Sequence, residues 1–206
     1  MSKLNSIVLL EKSVFLDKEI IISNSKPFQI KKPNHNTFQF DTQIEDTIIN
    51  TSFAISFWVY ISSPEKTNET DIFNYSNHPR LTYYNNPDNT KKEQNQFIVH
   101  FTNKEDANLD ETSHKFSAPQ QKWNFIVINY NDNAICDLFL NGELIKSVNI
   151  GNYLPHYDNS QNVSIGSNKG NYGSISNIKY HKTPLTLSEI ITTYNFLQFK
   201  NPPVFD

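Results

Sequence analysis

Apolar residues recur along most of this chain with a period of two, the repeat of strands whose side chains point alternately to opposite faces. The longest such run is Phe53-Ala-Ile-Ser-Phe-Trp-Val-Tyr-Ile61. Phe53, Ile55, Phe57, Val59 and Ile61 share one of its faces, and Ala54, Ser56, Trp58 and Tyr60 share the other. It predicts a core strand. In residues 123–130, Trp123, Phe125 and Val127 oppose Ile126, Ile128 and Tyr130, so both faces are apolar and a central strand covered on each side is expected. Two more runs, 135–140 and 143–148, flank Asn141-Gly142. Asn-Gly between apolar runs signals a type I′ hairpin, because both turn residues need positive φ.

Residues 37–41 read as a short alternating strand, and runs at 72–75, 81–84 and 97–101, separated by Asn, Pro and Asp, read as a meander of strands. Residues 163–166 and 173–180 give two more, joined by an Asn- and Gly-rich loop. Near the start, apolar patches at 7–10, 14–16 and 20–22 are strand-length but broken by charges. Residues 1–36 therefore form either outer strands or an arm that docks on a partner. Residues 102–115 are charged without an apolar period and read as a solvated excursion. The period changes at Thr186-Leu-Ser-Glu189, a capping box that starts a short helix running to about Phe196. Leu187, Ile190, Ile191 and Tyr194 give this helix an apolar stripe expected to pack on the sandwich edge, and Pro202 and Pro203 stop it. The pattern predicts an all-β fold: an antiparallel β-sandwich over residues 37–200 with one short C-terminal helix and a tail at 201–206.

Composition narrows the chemistry. The 206 residues fit one β domain, and 15 Phe with 10 Tyr suffice for its core. A net charge of −3, with no basic cluster among aromatics, argues against nucleic acid as a partner. The first apolar run, residues 7–10, is too short for a signal peptide or a membrane span. Cys136, the single cysteine, sits in an apolar strand and is expected to be a buried hydrophobe. The six histidines lack metal-ligand spacing. Calcium takes oxygens of the kind carried at 85–88, 131–133 and 158–159, but Asn and Asp at these places equally make turns. Two groups could grip a sugar by ring stacking and hydrogen bonds: Tyr153, His156, Tyr157 and Asp158 in the loop 151–162, and Tyr84 with Asp88. The alternative is that these tyrosines pack down on the sandwich. Trp58 and Trp123 are assigned to the core.

In order, Phe53-x-Ile-Ser-Phe-Trp-Val, Trp123-x-Phe-Ile-Val-Ile-Asn-Tyr130, Leu138-Phe-Leu-Asn-Gly-Glu-Leu144, Ile165-Gly166, Gly173-Ser-Ile-Ser-Asn-Ile-Lys-Tyr180 and Leu185-Thr-Leu-Ser-Glu-Ile190 resemble the laminin-G-like and pentraxin-like modules of the concanavalin A-like superfamily. The resemblance covers residues 37–197 and implies a jelly-roll sandwich with tryptophans between the sheets and tight backbone at Gly166 and Gly173. Its Asn/Ile/Lys-rich flavour and its ending, Tyr194-Asn-Phe-Leu-Gln-Phe-Lys-Asn-Pro-Pro203, are similar to stand-alone modules of large DNA viruses. The resemblance implies a non-enzymatic recognition module for a glycan or a protein surface, with calcium often held at the sandwich rim, acting in a virion or otherwise in the cytoplasm. The alternative is a structural capsid or assembly protein touching only other virion proteins. A third reading is a glycoside hydrolase, whose strand motif in this fold is Glu-x-Asp-x-x-Glu. The acidic stretch 105–111 has the wrong spacing, and Glu69-x-Asp71 lacks the third carboxylate.

Overall fold

The computed structural model describes residues 6–28, 30–31, 47–48, 50–63, 69–84, 96–101, 113–151, 161–170 and 172–205. In chain order these form β1 (Ser6–Leu10), β2 (Val14–Phe15), β3 (Ile20–Asn24), β4 (Ile30–Lys31), β5 (Thr47–Ile48), β6 (Phe53–Ser63), β7 (Thr70–Tyr75) and β8 (Arg80–Tyr84). There follow β9 (Gln96–His100), β10 (Ser113–Phe116), β11 (Trp123–Asn131), β12 (Ile135–Leu140), β13 (Glu143–Asn149), β14 (Asn162–Ile165), β15 (Tyr172–His181) and helix α1 (Leu187–Leu197). The larger sheet runs β1-β15-β6-β11-β12-β13, with β2 also on β15, and the smaller runs β10-β9-β8-β7-β14-β3. The pairings in both are antiparallel. The expected meander is present as β7-β8-β9, while the predicted strand at 37–41 lies outside the described residues.

Period two sorts the side chains into layers. Phe53, Ile55, Phe57, Val59, Ile126, Ile128 and Tyr130 of the larger sheet meet Phe73, Leu81, Tyr83, Phe97, Val99 and Ile165 of the smaller in one buried cluster. Across that gap the Phe57 and Phe73 rings stack at 5.3 Å. The alternate residues Ala54, Trp58, Phe125, Val127 and Phe139 form a second cluster on the far side of the larger sheet, under Ile190 and Leu197 of α1. Trp58 stacks there on Phe125 at 4.9 Å and on Tyr194 at 5.9 Å.

Two expectations are corrected by this arrangement. The helix covers the outer face of the larger sheet rather than an edge, and Trp58 lies beneath the helix rather than between the sheets. The cause is in the strand pattern: a sheet apolar on both faces needs a cover on each, and Trp58 alternates with the residues that face the smaller sheet. The helix contacts the sheet through Ile190, Tyr194 and Leu197, whereas Leu187 and Ile191 of the predicted stripe are exposed. Its N-terminus is the predicted capping box, with Thr186 accepting from the Glu189 amide and Glu189 from the Thr186 amide. A third correction concerns 102–115, because residues 113–116 are the edge strand β10. It escapes the pattern because Phe116, stacked on Phe97 at 5.4 Å, is the one large apolar residue anchoring it.

The Asn141-Gly142 turn joins β12 to β13 with φ of 53° and 90°. Asn141 also prolongs the ladder of β11, its main-chain N–H donating to the Phe125 carbonyl and its Oδ1 accepting from the Phe125 amide, both at 2.8 Å. At the N-terminal side, β1 and β2 pair with β15 and β3 with β14. Between them the backbone of Leu16 and Lys18 passes so close to Gly166 (φ 67°) that a Cβ there would stand 2.3 Å from the Lys18 carbonyl oxygen.

Candidate functional site

The face of the smaller sheet that turns away from the core carries a polar cluster at β7, β8 and β9. Leu81 and Tyr83 of β8 point into the core, so Arg80, Thr82 and Tyr84 point outward. Register places Asp71 opposite Thr82 and His100 opposite Arg80, on the same outer face. The His100 imidazole donates from Nε2 to Glu69 Oε1 at 3.0 Å and lies 3.2 Å from Thr82 Oγ1. Beside this pair the Arg80 guanidinium donates through Nε to Asp71 Oδ1 at 2.6 Å.

The floor of the cluster is buried, at Thr82 and His100, while Glu69 is exposed and Asp71, Arg80 and Tyr84 are half-buried. The hydrogen bond from His100 is the main reason the Glu69 carboxyl is held down to about 2. Burial opposes it, and Thr82 with the charges of His100 and Arg80 assists. Arg80 is the only arginine in the sequence. Its Nε is committed to Asp71. This arrangement offers fixed donors, fixed acceptors and an aromatic side chain on one rigid sheet.

Within this cluster Glu69 is not poised as a general acid. A glycosidase keeps one of its two carboxyls protonated to serve as the acid. Glu69 is driven the opposite way, and Asp71 is engaged by a guanidinium.

Of the residues singled out from sequence, Tyr84 is on this face. Asp88, Tyr153, His156, Tyr157 and Asp158 lie outside the described residues. So do the acidic stretch 105–111 and two of the three Asn/Asp groups considered for calcium. The third, 131–133, builds a turn: the Ala134 amide donates to the Asn131 carbonyl, and Asn131 Nδ2 donates to Asp137 Oδ2. Among the described residues no three His, Cys, Asp or Glu side chains converge on a point that could hold a metal. Cys136 is fully buried, and burial pushes its thiol well above the ordinary range.

No single stretch of sequence signals the cluster, since its members are 31 residues apart at the extremes, from Glu69 to His100. The available signals were the lone arginine and the polar residues at 80 and 82 alternating with apolar ones at 81 and 83.

The laminin G form of the family model for the concanavalin A-like lectin/glucanases superfamily matches residues 28–191. The chain belongs to that superfamily. No curated protein sequence matches it. Among solved structures this superfamily member is similar to the receptor-binding domain of botulinum neurotoxin serotype D, at 18% identity and a TM-score of 0.61, over 94% of this chain and 46% of that one. The same toxin domain in complex with N-acetylneuraminic acid gives 18% identity, a TM-score of 0.55 and coverage of 93% and 42%. The receptor-binding domain of the C/D mosaic serotype gives 20%, 0.55, and coverage of 70% and 36%. At such identity the likeness is one of fold, and the chain spans less than half the length of these structures. Among the described residues no helix is long and apolar enough to cross a membrane.

Proposed function

We infer that the chain is a non-enzymatic recognition module that binds a glycan on the outer face of its smaller sheet. The observation that carries this reading is the Arg80–Asp71 pair beside Glu69–His100, with Tyr84 on the same face. Ionised acceptors take hydroxyl hydrogens, the guanidinium supplies donors in a fixed fork, and a tyrosine ring can stack on a sugar. The superfamily and the sugar complex of a structurally similar toxin domain are consistent with it.

The test is binding of the purified protein to a broad glycan array, with calcium and with chelator, alongside Arg80→Ala, Glu69→Gln and Tyr157→Ala variants. Saturable binding weakened roughly tenfold or more in Arg80→Ala and Glu69→Gln, with folding intact, is the expected result, since each removes a charged hydrogen bond. Binding lost only in Tyr157→Ala would move the site to the loop 151–162. Turnover of any bound glycan, abolished in Glu69→Gln, would make the protein a hydrolase instead. A clean absence of glycan binding would favour a structural protein that contacts only other proteins.

A further inference from the structure

We propose that the C-terminal end of helix α1 and the segment after it form a docking patch for an anionic phospholipid surface. The patch lies on the side of the larger sheet, away from the polar cluster, and does not depend on the glycan reading.

Phe199 is 89% exposed and Phe196 62% exposed, while Phe205 stacks on Phe196 with ring centroids 5.7 Å apart. Lys179 Nζ stands 4.1 Å from the centre of the Phe205 ring and Lys200 Nζ 5.5 Å from that of Phe196. Across the β1–β15 ladder, the neighbour of Lys179 is Val8, itself more than half exposed. These contacts join Phe196, Phe205, Lys179, Lys200 and Val8 into one patch, and Phe199 directly precedes Lys200 in the chain. Glu11 is the acidic group felt by Lys179.

The chemistry selects the occupant. Large apolar side chains exposed to this degree and clustered together mark an interaction surface rather than ordinary scatter. A ring that is 89% exposed projects outward and lines no groove, so it does not have the form of a peptide anchor site. Projecting aromatics flanked by lysines suit the boundary between headgroups and acyl chains, where rings enter the apolar layer and ammonium groups meet phosphates. Lysine stems cover apolar surface while the ammonium groups remain able to meet phosphates, so one side chain can make both contacts. Attachment of this kind is shallow and reversible, because it rests on a few side chains.

The experiment is co-sedimentation of the full chain with vesicles of phosphatidylcholine and with vesicles of phosphatidylcholine containing phosphatidylserine. Wild type should pellet with the anionic vesicles and release as salt rises. Phe199→Ser at an exposed ring and Lys200→Glu, each with folding checked by circular dichroism, should lower the partition coefficient roughly tenfold. In Phe199→Trp, added anionic vesicles should shift the indole emission to the blue. Failure of wild type to pellet, equal binding to both kinds of vesicle, or unchanged binding in Phe199→Ser would each overturn the proposal. So would self-association of wild type that Phe199→Ser abolishes in the absence of lipid, which would make the patch an interface between copies of this chain.

Discussion

Glu69 and His181 are two titrating side chains whose surroundings lower their pKa values, so both make the fold less stable in acid. For Glu69 the folded pKa is about 2 against an ordinary 4.5, so the unfolded state binds more protons between these values. Its contribution is complete above about pH 4.5 and is lost as pH falls towards 2. Urea titrations of wild type and Glu69→Gln should therefore differ at pH 5 and converge as the solution approaches pH 2. A gap that stays constant over that window would show that His100 does not hold the carboxylate. His181 sits between β15 and the helix, its Nε2 2.9 Å from Ser56 Oγ, and burial with the nearby Lys179 charge lowers it to about 4 from 6.5, against the pull of Glu189. Here too the unfolded state binds more protons within the window, so wild type should lose stability from pH 6.5 down to 4. The loss should reach about 2 kcal/mol after allowance for partial exposure. His181→Gln should flatten that slope, and an unchanged slope would assign the acid sensitivity elsewhere. Ser56 is buried, so the pair packs the space under the helix rather than offering a nucleophile.

At the scale of elements, α1 depends on its cap and on the side chains it packs under itself, Ile190 among them. Thr186→Ala should cost about 1 kcal/mol in denaturant unfolding, because the Glu189 amide loses its acceptor. Ile190→Ala, which empties the centre of the helix-side cluster, should cost about 2–5 kcal/mol. Equal costs for the two would mean that packing under the helix is loose. This helix also shows what could be read in advance. Its capping box is a contiguous signal and was legible residue by residue, as were the hairpin at Asn141-Gly142 and the two-faced strand β11. Where the helix docks depended on which sheet face lay uncovered, a fact of topology. Strand β10 was invisible for a related reason, since an edge strand needs few apolar residues and Ser113, His114 and Lys115 are polar. The polar cluster joins three strands and is set by register, which no single window of sequence contains.

For the whole molecule, the two outer faces of the sandwich carry different chemistry. The larger sheet is covered by α1, with the patch of rings and lysines at the end of that helix, and the smaller sheet bears the charged cluster. Arg80→Ala should weaken glycan binding and leave vesicle binding intact, and Phe199→Ser should do the reverse. Loss of both activities in either variant would point to misfolding or to one shared surface. A single sheet face with a few hydrogen bonds grips one sugar unit weakly. Copies held on a lipid plane by their helix side would all turn the opposite face outward in the same orientation, so encounters with a clustered ligand would become two-dimensional. Valency, not the strength of any one contact, would then set the hold.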